Sequence, residues 1–389
     1  MTPKELSEDD KKIFHAIDKN DVILLRAALV DKRNVNILNE NLITPLQHAS
    51  YRGNKEMVQI LLDQGADPNL CEHAYGYTAL HFAGLSGNVD VCNLLLLAGA
   101  KSSAVNTLGR TAAQMAAFVG NHNCVTTINN YVQKKDVEYY TILQGQQTKP
   151  YLQPFLSESF HKFIMTINVH PVRIALNLQS IVGLIEHLDE IRNVLELMCR
   201  KEMKGKEMNE VMSLKFHYLG YIVEAISKIR KNKKDDDDKK SDVFELFTRK
   251  LLKPNKDGNL DFMDNFLKEC IREFPFRECT LFKQMVASLT GNDPPPALTV
   301  ITAAINGQRG FMDHISVCNT CGEEKPGKKC SKCKVVQYCD RNCQRLHWFV
   351  HKKACTRLSQ CTSEQSEPQE TKVDPSDLNA EIENLLVSN

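Results

Sequence analysis

Apolar residues recur at helical spacing through most of this chain. Ile181, Leu184, Ile185, Leu188, Ile191, Leu195 and Met198 fall three or four positions apart, and so do Val211, Leu214, Tyr218, Tyr221, Ile222, Ala225 and Ile229. Residues at that spacing share one helix face, so each stripe predicts an amphipathic helix turned toward a core. Phe262, Phe266, Leu267 and Cys270 predict another. Polar segments punctuate these blocks. Arg230 to Lys240, with Asp235 to Asp238 between lysines, reads as a solvated loop. Asn292-Asp293-Pro294-Pro295-Pro296 ends a helix and marks the approach to a linker. No apolar run approaches the roughly 18 residues of a membrane span. His161, His170, His187 and His217 have no ligand-like spacing and read as ordinary side chains.

The first third has a different rhythm, and it repeats. Thr44-Pro45-Leu46-Gln47-His48-Ala49 returns as Thr78-Ala79-Leu80-His81-Phe82-Ala83 and as Thr111-Ala112-Ala113-Gln114-Met115-Ala116, at intervals of 34 and 33 residues. Glycine follows each Thr nine residues later, at Gly53, Gly87 and Gly120. Thr is a good helix N-cap, Pro45 suits the first helical position, and glycine tolerates the left-handed turn that ends a helix. Leu61-Leu62 and Leu94 to Leu97 supply apolar faces that only a neighbouring repeat covers. Gly65-Ala66-Asp67 and Gly99-Ala100-Lys101 close second helices, and Ile13 to Val35 has the same helix-pair rhythm without the signature, as a terminal cap would.

This stretch, residues 5–133, resembles the ankyrin repeat family, as about four repeats of which the first is a degenerate cap. Ala79 and Ala112 replace the motif Pro, and Gln47 and Gln114 replace the motif His, which predicts weaker caps and inter-repeat hydrogen bonds. The resemblance implies protein binding through the concave helices and finger tips. The concave positions are Tyr51-Arg52, Leu85-Ser86 and Phe118-Val119, and the tips are Glu40-Asn41, Ala74-Tyr75 and Thr107-Leu108. Tyr51, Leu85 and Phe118 form one apolar stripe, which reads either as a partner groove, with Tyr75 nearby, or as core under the next segment.

Composition narrows the class. With 389 residues and 42% hydrophobic content, two or three domains with real cores are expected. A formal net charge of +1 gives no field that draws the chain to nucleic acid or membrane. Met1-Thr2-Pro3-Lys4-Glu5 carries no secretory pattern, which predicts a reducing setting where paired cysteines are metal ligands. Of 14 cysteines, seven lie between 318 and 355.

Those seven and one histidine run Cys318-x2-Cys321, Cys330-x2-Cys333, Cys339-x3-Cys343 and His351-x3-Cys355. A C-x2-C knuckle brings two thiolates to one ion, and pairs four apart lie on one helix face. Eight ligands close two tetrahedral zinc sites and leave no position for a catalytic water. A module of roughly 40 residues cannot fold on its own apolar burial, and structural zinc contributes about 10–16 kcal/mol apparent per ion. Spacing alone leaves the partition of ligands open. Ten Lys and Arg against three acids between 314 and 357 leave only a modest positive excess once thiolates and zinc are counted, so nucleic-acid binding is unsupported.

The ligand order, with Gln344-x3-Trp348-x2-His351-Lys352, resembles the MYND zinc finger. The resemblance implies interleaved sites: Cys318, Cys321, Cys339 and Cys343 on one zinc, and Cys330, Cys333, His351 and Cys355 on the other. It also implies a receptor for proline-rich segments of the Pro-x-Leu-x-Pro kind, contacted by Ser331, Gln344 and Trp348, with a strand from Val335 to Tyr338 offering an edge. His347 lies off the ligand register. Pro294 to Leu298 resembles half of such a peptide, and it stands close enough to the finger for self-docking.

The expected architecture is mostly α: an ankyrin solenoid, a central all-helical region over 134–310, a two-zinc MYND finger over 314–357, and an acidic tail over 358–389 with a disordered composition. The arrangement resembles the ankyrin repeat and MYND domain-containing proteins. That implies a non-catalytic adaptor with protein partners and no small-molecule substrate, in the cytoplasm and linked to traffic of signalling proteins to the primary cilium. The competing class is a nuclear, corepressor-type adaptor, with Lys231-Asn232-Lys233-Lys234 a weak import cluster. A remoter class is a SET-type lysine methyltransferase, whose Asn-His-Ser-Cys-x-Pro-Asn stretch is matched only by Asn121-His122-Asn123-Cys124, without its Pro.

Overall fold

A computed structural model of the chain describes residues 6–30, 34–204, 208–232, 242–307 and 316–364. The chain divides into two compact units, one of residues 1–315 with 321–323 and one of residues 316–320 with 324–389. Most of the Arg230 to Lys240 loop and most of the acidic tail lie outside the described residues.

The first unit opens with four helix pairs: α1 (Glu8–Asp18) and α2 (Val22–Ala28), α3 (Pro45–Arg52) and α4 (Lys55–Asp63), α5 (Ala79–Ser86) and α6 (Val89–Leu97), α7 (Ala112–Phe118) and α8 (His122–Asn130). Helices α3, α5 and α7 pack in succession, as do α4, α6 and α8. Their apolar faces share one core that includes Leu46, Leu61, Leu80, Leu95 and Val125. Thr44 and Thr111 cap their helices as the repeat predicts, accepting from the Gln47 and Gln114 N–H groups at 3.1 and 3.3 Å.

A second set of polar side chains stitches the repeats together. Asn88 caps α6 by accepting from the Val91 N–H at 3.0 Å, and donates to the Gly53 carbonyl one repeat earlier at 2.7 Å. Asn121 does the same to the Gly84 and Leu85 carbonyls, at 2.9 and 3.0 Å. This contact demands glycine at 87: its φ is +77°, and a Cβ there would lie 2.8 Å from Asn121 Oδ1.

One expectation is overturned. Gln47 does not weaken its repeat: its Oε1 accepts from the Thr44 N–H at 2.8 Å while Nε2 donates to the Leu70 and Tyr77 carbonyls at 2.8 and 3.0 Å. The amide has one acceptor and two donors, so it serves both the cap and the next repeat. His81 makes the equivalent link through Nε2 to the Arg110 carbonyl at 3.1 Å.

The rest of the first unit is helical: α9 (Lys134–Glu138), α10 (Ser157–Ile164), α11 (Pro171–Ser180), α12 (Leu188–Glu202), α13 (Glu210–Asn232), α14 (Val243–Leu251), α15 (Asp261–Arg272), α16 (Thr280–Leu289) and α17 (Ala297–Asn306). Helix α13 is central and packs on α11, α12, α14 and α17. Its stripe is core as predicted, with Leu214, Tyr218 and Ile222 buried. The stripe beginning at Ile181 starts early: Ile181 ends α11, Gly183 turns with φ +87°, and α12 begins only at Leu188. His161 and His217 bond through Nε2 to the Val132 and Cys270 carbonyls, both at 2.8 Å. No linker begins at Pro296. Ala297 opens α17 and donates its N–H to Asp264 Oδ1 at 2.7 Å, with Val300 and Ile301 buried. Pro294 to Leu298 therefore runs into a packed helix and is not the extended peptide that self-docking requires. Among the described residues no helix is long and apolar enough to cross a membrane.

The second unit has a two-stranded antiparallel sheet, β1 (Lys328–Lys329) with β2 (Gln337–Tyr338), and a helix α18 (Arg341–Glu364). The expected strand from Val335 is thus shorter, and one of its edges is already paired with β1.

Candidate metal centre and interaction surfaces

Each ligand is positioned by a short local device. The two C-x2-C knuckles turn back through a left-handed residue directly after the second cysteine, Gly322 at φ +67° and Lys334 at φ +57°. In the second knuckle the Cys330 N–H donates to the Val336 carbonyl, and the Lys334 N–H to the Cys330 carbonyl, both at 2.9 Å. Asp340 caps the start of α18, its Oδ1 accepting from the Cys343 N–H at 2.8 Å. Helix α18 then presents Cys343, His351 and Cys355 on one stripe, because steps of four residues nearly close a turn.

The structure brings the eight residues together as two quartets, Cys318, Cys321, Cys339, Cys343 and Cys330, Cys333, His351, Cys355, the ligand atoms within each lying within 4.8 Å of one another. All are buried except half-buried Cys339. In the second quartet Cys330 Sγ lies 3.8 Å from Cys355 Sγ, and Cys333 Sγ lies 3.6 Å from His351 Nε2. A tetrahedral zinc with Zn–S of about 2.3 Å and Zn–N of about 2.0 Å puts two sulfurs about 3.8 Å apart, and sulfur and nitrogen about 3.5 Å apart. The residues present fit zinc. Burial opposes the Cys330 thiolate, but the Cys333 and Lys332 backbone N–H groups and the His351 ring outweigh it, and its thiol is pushed down to about 6. Zinc bound here cross-links the segments, and four protein ligands per ion leave no open position for catalysis.

His347 belongs to the same stripe as the ligands, four residues from Cys343 and from His351, which corrects its expected place off the register. It still joins neither quartet. The Tyr338 hydroxyl lies 3.1 Å from its Nδ1, and its ring stacks 6.2 Å from that of His351. Burial, with the neighbouring His351, pushes its pKa down to about 4.

Comparison with known proteins agrees with this geometry. The family of ankyrin repeats (3 copies) matches residues 13–106, and the MYND finger family matches residues 318–355. Dauer abnormal formation protein 25 of Caenorhabditis elegans is 31% identical over 386 residues, spanning 96% of this chain and 97% of that protein. The chain belongs to the ankyrin-repeat and MYND-finger family. Other similarities cover a smaller share of the chain: Ankyrin repeat and SAM domain-containing protein 6 of Rattus norvegicus is 30% identical over 31% of this chain and 14% of its own length. The 2-5A-dependent ribonuclease of Mus musculus is 50% identical over 13% of this chain and 7% of its own length.

The MYND finger holds two structural zinc ions, and both modules are of the protein-interaction kind. On the finger, Trp348 is 46% exposed, with its ring 5.9 Å from and edge-on to His351. Gln344, one turn earlier, is half-buried, and Ser331 is exposed. On the ankyrin array Tyr51, Tyr75 and Phe118 are exposed by more than half, while Leu85 is half-buried. Phe118 lies under the Arg110 guanidinium at 5.5 Å. Tyr51 meets Phe82 edge-on at 6.1 Å beside a cavity of about 240 Å³, lined also by Asn39, Ile43 and His48. Sequence reasoning missed this cavity, although Phe82 sits within the repeat motif. The methyltransferase lookalike has a structural use here: Asn121 holds the ankyrin backbone and Cys124 is buried in its core.

Proposed function

We propose that this protein is a non-catalytic adaptor that holds separate protein partners on its two modules. The ankyrin concave face, through Tyr51, Leu85, Phe118 and Tyr75, takes one; the MYND finger, through Ser331, Gln344 and Trp348, takes a proline-rich segment of the Pro-x-Leu-x-Pro kind. The observation that supports this reading most is exposure: large aromatic side chains stand in solvent on both modules, at the positions where their families bind. The family resemblance supports a cytoplasmic and ciliary site of action, in traffic of signalling proteins to the primary cilium. Proximity labelling in ciliated cells, with Trp348→Ala beside the parent chain, tests it. Loss of ciliary signalling proteins from the labelled set of the variant supports the reading; a set dominated by nuclear corepressors in both would overturn it.

A further inference from the structure

The ankyrin array ends on a polar seam rather than an apolar cap. Its last helix, α8, meets α13 and α17 there. Asn129 donates to the Ile305 carbonyl at 3.0 Å, Thr126 to the Asn306 carbonyl at 3.3 Å, and Asn130 Nδ2 to Asn306 Oδ1 at 2.8 Å. Asn306 in turn donates to the Ile167 carbonyl at 3.1 Å. Helix α13 inserts Lys215 at this seam, fully buried. Its Nζ reaches the Asn130 carbonyl at the long distance of 3.5 Å, and Asn130 Oδ1 is buried without a hydrogen-bond partner.

A buried ammonium needs counter-charge or several good acceptors, and this site supplies neither among the described residues. Helix α17 contains no titratable residue, and α8 carries His122 at its start and the buried thiol Cys124, which pairs with Cys92 inside the array. Among the described residues, the titratable side chains that burial shifts on the surrounding helices include Cys199 on α12, His217 and Tyr218 on α13, and Cys270 on α15, all held neutral by burial. Glu202, at the end of α12, is pushed up to about 7 by burial, against the opposing pull of Lys201. Tyr131, just past α8, is pushed up by burial and by Asp136. Charged groups of the neighbouring helices are paired elsewhere: Arg192 with Glu224, Arg200 with Glu196, Arg249 with Glu245 and Lys268 with Asp264. Burial alone therefore lowers the Lys215 amine from 10.5 to about 7.

We propose that Lys215 makes this seam a release joint, at which the ankyrin array and the helical layer part locally while each stays folded. The array tolerates this because each repeat is held by its neighbours. The sign follows from the amine. Closed, it binds a proton only below about 7; opened to water, it binds one below about 10.5. Opening is therefore opposed as pH rises between those limits, about tenfold per pH unit, and stays at its most favourable below about 7.

Native-state hydrogen exchange on the full, zinc-loaded chain tests the joint. Amides at the ends of α8 and α17 are expected to open before those of α3 and α5. Corrected for intrinsic exchange, that opening should fall about 100-fold from pH 7.5 to pH 9.5. Lys215→Met, similar in volume and without charge, should remove the pH slope and slow seam opening at pH 7.5 by about 100-fold or more, with α3 and α5 unchanged. A seam without pH slope in the parent chain overturns the proposal. So does a Lys215→Met chain in which the seam is unchanged, or in which every helix is slowed equally. Should that variant fail to fold, the parent pH series decides alone.

Discussion

Gln47 Nε2 donates to the carbonyl oxygen of Tyr77, 3.0 Å away in the next repeat. The same amide also closes the cap at Thr44, so the glutamine is a full substitute for the histidine at the equivalent position 81. Gln114 is different: exposed, among the described residues it bonds only within its own cap. Gln47→Ala should therefore cost about 2–4 kcal/mol, because it strands buried backbone groups, and Gln114→Ala less than about 1 kcal/mol. Urea unfolding of the two variants measures the difference, and equal losses would refute the assigned roles.

Two zinc ions should accompany each chain in native mass spectrometry. Cys330→Ser is expected to lose one ion and unfold the module, since three ligands leave an incomplete site. Strong chelation should remove both ions together with the finger's fold. Acidification should release them too, because protons compete for the thiolates and for His351. A finger whose circular dichroism survives metal removal would contradict the structural role.

Lys334 holds φ +57° at the turn of the second knuckle, where the first knuckle uses Gly322. A side chain in that conformation costs about 1–2 kcal/mol relative to the right-handed region. Lys334→Gly should therefore slow zinc loss to a competing chelator or leave it unchanged. Faster loss would mean that the lysine side chain contributes a contact worth more than the backbone strain.

Much of this molecule was legible in the residues, for different reasons at its two ends. Ligand chemistry at the finger tolerates almost no substitution, so the order of eight residues already carried the quartets through the family resemblance. At the array, the Thr-to-Gly interval repeats because each helix pair must present the same faces. The Asn88 and Asn121 ladder is written in the same repeats, one residue after each glycine, but an Asn in a turn does not itself show which carbonyl of the preceding repeat its amide reaches. The amide at Gln47 was misjudged because a motif departure does not reveal what the replacing group can reach. Helix stripes showed α13 but not the end of α11, since an apolar residue in the turn at Ile181 fits the same spacing. The seam at Lys215 had no sequence signal: a lysine on an apolar stripe reads as solvent-facing until α8 and α17 are seen to cover it.

Tyr51, Leu85 and Phe118 should act apart from the finger. Alanine at all three is expected to lose one group of partners in affinity capture and to keep those that depend on Trp348. Tyr51 and Phe118 are exposed, so their truncation should change stability by less than about 1 kcal/mol. Circular dichroism that shows an unfolded array would instead mark the stripe as core, and loss of the same partners by both variants would merge the two surfaces into one.

Trp348 and Gln344 lie one turn apart on α18, outside both ligand quartets. The indole offers a wide apolar face and the amide a donor, a pairing suited to a proline-rich segment, which lacks most of its own N–H groups. Trp348→Ala should weaken binding of a Pro-x-Leu-x-Pro peptide by at least about 2 kcal/mol, the usual scale for an aromatic anchor, and Gln344→Ala by about 1 kcal/mol. Zinc content should stay at two in both variants, because neither side chain is a ligand. Calorimetry gives the affinities, and native mass spectrometry gives the metal count. Trp348 packs edge-on to His351, so the control matters: if zinc is lost with the indole, the tryptophan is a support for the ligand rather than a docking face. Unchanged peptide affinity with both ions retained would remove the finger's groove from the adaptor's working surfaces.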